Sequence, residues 1–263
     1  MLLRAMLTRS NIGIPRPDNL SAPPILTPDA LMHGNFLILG DGHVGYFRQA
    51  VQMIGLLPWQ YQICEVDGAT AVGMRNPLTT VNALQIFRDF LQDKSRQATV
   101  ILQLGEADCG FVVWYRAQLY DEPVQEQVSD AIGAYLGFTM ELQRAGFRDI
   151  VVTGATLPTI PTEDATGEEA RLRRDMPGNL AYRTRLTLDY NKVLQSKARD
   201  LRLQYLDICP SLLDPEAKTV RSLYLNPNPA DHHLDYDAAG RLWADKLRGL
   251  IFEQTRNRRY PGG

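Results

Sequence analysis

The stretch FLILGDGHVGYF, residues 36–47, decides the fold of this chain. An apolar run ends in a Gly-Asp-Gly-His turn and passes into a segment with helical spacing through Phe47, Val51 and Ile54. A strand that opens into a helix through small residues is where many α/β enzymes place their reactive group. Yet the centre of the turn, Gly42, has no side chain with which to react. Taken alone, Gly-Asp-Gly is also an ordinary turn sequence.

The same alternation continues along the chain. Strand-like runs fall at 35–40, 61–66, 98–105, 149–155 and 203–208. Helical spacing falls at 44–57, at 79–93 with Leu84, Phe87 and Leu91 on one stripe, and at 124–147. In that last segment Val128, Ile132, Leu136 and Met140 stand four apart; further helices are expected at 179–200 and 237–254. Five strands alternating with helices predict a three-layer α/β/α fold, a flavodoxin-like parallel sheet covered on both faces. Right-handed crossovers bring the carboxyl ends of the strands to one edge, where such sheets bind ligands.

The expected organisation is a Pro-rich leader (1–34) packed on one domain (35–255), then a basic tail, RNRRYPGG (256–263). Within the domain, about 25 residues between the strand at 149–155 and the next helix exceed an ordinary connection. The segment 153–179 is therefore expected to be a lid-like insert, with a plain surface excursion as the alternative. A net charge of -2 gives no reason to expect nucleic acid, which selects a basic surface. No segment approaches the roughly 20 apolar residues of a membrane span, and Arg4 and Arg9 interrupt the apolar start. The expectation is a soluble, cytoplasmic protein. Cys64, Cys109 and Cys209 form no CxxC pair, which argues against a disulfide framework or a cysteine zinc site.

Three polar clusters follow strand ends or precede the last helix. They are Asp41-Gly42-His43, then GEADCG (105–110), then NPADHHLDYDAAG (228–240). Parallel topology brings the first two together, and a loop before a helix can reach the same edge. An acid in GEADCG has a structural alternative, capping a helix or pairing with an arginine. A metal site from Asp231, His232, His233 and Asp235 is not expected. Loop neighbours rarely aim at one ion, and no i,i+4 histidine pair occurs.

In this order the clusters resemble the blocks of the SGNH (GDSL-like) hydrolases, a superfamily of acyl and carbohydrate esterases. ILGDGHVGYF is similar to the block whose Gly-Asp-Ser supplies the nucleophile, with Gly42 in the serine's place. VDGATAVGMRNP resembles the block that gives an oxyanion N–H, with Gly68 the best match and Gly73 in reserve. GEADCG stands where the family has Gly-x-Asn-Asp, so Gly105, Glu106, Ala107 and Asp108 align without the donor asparagine. ADHHLD resembles the final Asp-x-x-His block. Ala230 stands three before His233, so either the acid is displaced to Asp231 or His232 is the match. RTRLTLDYN (183–191) matches a penultimate element of one branch.

The resemblance implies ester hydrolysis of a small acyl ester or acylated glycan, with no cofactor and no metal. It implies His233 as base, Asp231 as its orienter, and Gly42 and Gly68 as oxyanion N–H donors. Glu106 or Asp108 would line the pocket beside His43 and His232, with Asp41 bracing the turn. Without a serine at 42, covalent catalysis is lost, at a cost of about a million-fold in turnover. Three accounts stay open. The glycine is an inactivating substitution, introduced or inherited; or the chain is a non-catalytic binding protein that keeps the cleft; or His233 activates water with Glu106 or Asp108. A nucleotide-binding flavodoxin-like module is a remoter alternative, since GDGH lacks the further glycines of a phosphate cradle.

Overall fold

A computed structural model describes residues 35–76, 79–160 and 179–259. The expected leader (1–34), residues 161–178 of the expected insert and the last four of the tail lie outside them. Among the described residues there are five strands: β1 Phe36–Gly40, β2 Tyr61–Glu65, β3 Thr99–Gln103, β4 Ile150–Thr153 and β5 Gln204–Leu206. All neighbours pair in parallel, in the order β2-β1-β3-β4-β5. Connections run outward on opposite sides of β1 and β3, so a crevice opens between the carboxyl ends of those two strands.

The alternation of β1 shows why both faces are covered. Phe36 and Ile38 pack with one apolar cluster, Leu37 and Leu39 with the other. On the first side lie α1 (Gly45–Met53), a short α6 (Cys209–Leu212) and α7 (Tyr236–Arg259). Phe47 and Val51 of α1 meet Trp243 and Leu247 of α7 there. On the second side lie α2 (Ala83–Leu91), α3 (Val113–Tyr120), α4 (Val124–Arg144) and α5 (Leu180–Asp200). Phe87, Trp114, Tyr135, Phe138 and Leu194 fill that layer. Each such burial is worth about 1.5–3 kcal/mol, so the two covered faces hold strands of only three to five residues.

Apart from the one-turn α6, which was not expected either, the helices differ from expectation in three places. α3, and the π-type turn Asp108–Val112 that leads into it, were not anticipated. Phe111 to Tyr120 is apolar on several sides at once and shows no clean stripe. In α4, Ile132 and Leu136 are buried but Met140 is exposed. A step of four residues overshoots a helical turn by about 40°, so the spacing walks off the buried face. α7 continues to Arg259, which takes the first four residues of the expected basic tail into the helix. Among the described residues no helix is long and apolar enough to cross a membrane.

Candidate active site

The first strand ends in a forced geometry. A Cβ on Gly40 would stand 2.0 Å from the Gln103 carbonyl oxygen, so only glycine lets β1 and β3 approach this closely. Asp41 then leaves the strand, its N–H donating to the same carbonyl at 3.3 Å. Its Oδ1 caps the following short 3-10 turn, Gly42–Val44, accepting from the His43 N–H at 3.0 Å. The same oxygen lies 3.0 Å from Nδ1 of His43. Both side chains are buried. Asp41 thus ties the turn to the His43 backbone and ring.

The loop before α7 is built on the same plan. Oδ1 of Asp231 accepts from the His233 backbone N–H at 2.9 Å and lies 2.7 Å from its Nδ1. Asn226 Nδ2 donates to the other carboxylate oxygen at 3.1 Å. Burial works to raise the Asp231 carboxyl, but the hydrogen bonds from the His233 backbone and ring outweigh it and hold it below the ordinary value. Two more ties fix the loop. Leu234 N–H donates to the Tyr46 hydroxyl at 2.7 Å, and Thr159 Oγ1 donates to the His232 carbonyl at 2.7 Å.

These pieces converge on a cavity of about 290 Å³ at the carboxyl edge. Asp41, Gly42, His43, Gly68, Glu106, His232 and His233 all line it, together with Asp67. A Cβ built on Gly42 would lie 2.8 Å from His233 Nε2 and 3.4 Å from Asp67 Oδ1. That nitrogen is buried and has no hydrogen-bond partner among the described residues. Of the two adjacent histidines, it is His233 that carries the aspartate on one ring nitrogen and faces Gly42 with the other. A larger hollow of about 430 Å³ lies between α2 and α4. It is walled by the ion pairs Arg75–Asp130 and Arg88–Glu141 and, among the described residues, gathers no histidine or cysteine.

In each of two pairs of alternatives, one member lies away from the cavity. Asp108 does not line the cavity. It is fully buried, and its carboxylate accepts from Ala71 N–H at 2.6 Å and Val72 N–H at 3.0 Å. Burial, opposed by those two bonds, pushes its pKa up to about 6. Its work is to tie the loop after β2 to the end of β3, so Glu106 alone of the two acids faces the cavity. Gly73 is also out of place, its N–H donating to Thr70 Oγ1 at 3.0 Å. Gly68 is in the wall, at a φ of +71° that suits glycine. Asp67 was missed; its position next to that glycine was the available signal.

The RTRLTLDYN segment turns out to be a support. Asn191 accepts from Ala155 N–H at 2.7 Å and donates to Ala155 O at 2.9 Å. Arg183, fully buried, donates to Ile160 O at 2.7 Å. Gln103 Nε2 reaches Thr156 Oγ1 at 3.1 Å. Residues 155–160 are therefore clamped at both ends, and through Thr159 they hold the histidine loop.

Neither protein-family models nor curated proteins give a match to this sequence. Solved structures do. A GDSL-like lipase from Bacteroides thetaiotaomicron is similar at 14% identity over 89% of this chain and 93% of that one, with a TM-score of 0.54. The M. smegmatis aryl esterase in its inhibitor-bound form is similar at 12% identity over 84% and 99%, with a TM-score of 0.51. At such identities the likeness speaks for architecture, and it agrees with the strand order and layers above. The chain has the three-layer α/β/α fold of the SGNH and GDSL hydrolases.

Proposed function

We propose that the cavity is an ester-hydrolase site in which Gly42 holds the nucleophile's position. The observation that carries this reading is the 2.8 Å between the Gly42 Cβ position and His233 Nε2. A serine there would present its hydroxyl to a base whose other nitrogen is held by Asp231, which is the nucleophile–base–orienter order of acyl transfer. In this reading the N–H groups of Gly42 and Gly68 form the oxyanion hole. The substrate is a small acyl ester or acylated glycan. Asp41, Asp67 and Glu106 line the cavity and no lysine or arginine does so among the described residues, which disfavours an anionic substrate.

As a serine esterase the chain is silent, because no side chain at 42 can form an acyl-enzyme. The same glycine favours the second reading, a binding protein that keeps the cleft. One comparison separates them: the protein and its Gly42→Ser variant, both treated with chelator, on short-chain aryl esters and acetylated sugars. Hydrolysis gained by the variant supports the esterase site. No hydrolysis by a folded variant, with acylated glycan still bound, overturns it in favour of the binding protein.

A further inference from the structure

We infer that His43, His232 and His233 form a site for one divalent transition-metal ion of the zinc class, in the space that Gly42 leaves open. One ligand nitrogen from each of the three lies within 4.8 Å of the others. Their ring centroids are 4.1 Å apart for His232 and His233, 4.7 Å for His43 and His233, and 5.4 Å for His43 and His232. Nitrogens around a tetrahedral zinc stand about 3.4 Å apart, so the rings need only a modest inward turn. His43 is buried, and His232 and His233 are partly exposed.

The surroundings of the rings support a metal rather than a chance cluster. Asp41 lies on Nδ1 of His43 and Asp231 on Nδ1 of His233, which commits Nε2 of each ring as the remaining donor. A carboxylate behind a histidine is how protein zinc sites orient their ligands and raise their basicity. Asp67 and Glu106 add acidic groups to the same cavity, and the total favours a cation. Three histidines with an open fourth position match the catalytic rather than the structural pattern of zinc sites. The ligands come from the turn after β1 and the loop before α7, so adjacency in sequence does not reveal the trio.

Such an ion gives the cleft a nucleophile, a role that rests on the ester-hydrolase reading. Nε2 of His233 has no hydroxyl proton to receive when residue 42 is glycine, and is available as a ligand. Water bound to the ion loses a proton to solvent near neutral pH. Its oxygen forms the new bond to the acyl carbon, the bond from that carbon to the alcohol oxygen breaks, and the alcohol leaves with a proton drawn from water.

The test uses the whole chain, stripped with chelator and dialysed against zinc or cobalt. We expect one ion per chain by elemental analysis, the visible absorption of tetrahedral cobalt, and a zinc-dependent rise in melting temperature. His232→Ala and His233→Ala each lower affinity by about 100-fold or more, with circular dichroism confirming that they fold; His232→Gln serves if the alanine variant does not. Absence of saturable binding, or undiminished binding by a folded His232 variant, overturns the site. Zinc-dependent ester turnover by the unsubstituted chain supports the nucleophile role, and binding without turnover overturns that role. The Gly42→Ser assay in chelator judges the cleft separately, so failure of the metal and failure of the ester reading are distinguishable.

Discussion

His233 Nε2 stands 2.8 Å from where a Cβ on Gly42 would be, closer than a carbon can rest. The obstructing atom is the far end of an imidazole, so a side chain at 42 is accommodated by a small swing of that ring. Gly42→Ala and Gly42→Ser should therefore both fold with melting temperatures close to the unsubstituted chain. In chelator only the serine variant should hydrolyse aryl esters, by at least about 10³-fold over the alanine variant. Adding His233→Ala to the serine variant should abolish the gain. Equal rates in the alanine and serine variants would remove Gly42 from the nucleophile's position.

Asp231 spends one oxygen on both the backbone and the ring of His233, and Asn226 holds the other. In the Gly42→Ser background, Asp231→Asn leaves the loop's shape nearly intact but presents the wrong tautomer of the ring. Turnover should fall by about 10³–10⁴-fold with KM little changed. Steady-state kinetics on one aryl ester measure both parameters. A loss confined to KM would assign Asp231 to substrate binding instead.

The central strands β1, β3 and β4 were legible because each is a short, mainly apolar run, and the observed bounds of all five fall within three residues of those read from sequence. The turn at Asp41–His43 and the loop at Asp231–His233 were legible for a different reason, since polar clusters at strand ends have few structural duties. What sequence did not show is which polar groups face inward. Asp108 sits two residues from Glu106, yet it bonds to Ala71 and Val72 across the sheet edge. Pairings across 36 or more residues leave no local trace. The meeting of His43 with His232 and His233 is hidden in the same way.

Asn191 carries the support behind the histidine loop. Asn191→Leu would leave the buried Ala155 N–H without its acceptor, whereas Ala155 O keeps the Cys209 thiol at 3.2 Å. One orphaned donor costs about 1–3 kcal/mol. Urea denaturation should report a loss of that size. In the Gly42→Ser background turnover should fall as well, because Thr159 relays the position of residues 155–160 to His232. A stability loss with unchanged turnover would mean that the clamp does not reach the site.

Asp108 makes stability depend on pH with a sign opposite to that of a salt-bridged carboxylate. Its folded pKa is about 6, against about 3.9 in an unfolded chain. Between those values the unfolded chain has released a proton that the folded chain still holds. The contribution is therefore fully present below about pH 4, and is lost as pH rises through about 6. The amount is roughly 3 kcal/mol, set chiefly by burial and opposed by the N–H groups of Val72 and Ala71. Asp108→Asn removes the titration while keeping an acceptor oxygen for one of those N–H groups. From about pH 4 to about pH 7 the unfolding free energy from urea titrations should then shift by roughly 3 kcal/mol more in the stabilising direction in the variant than in the unsubstituted chain, the other groups being common to both. Equal changes in the two proteins would show that Asp108 is ionised throughout, with its two backbone donors outweighing its burial.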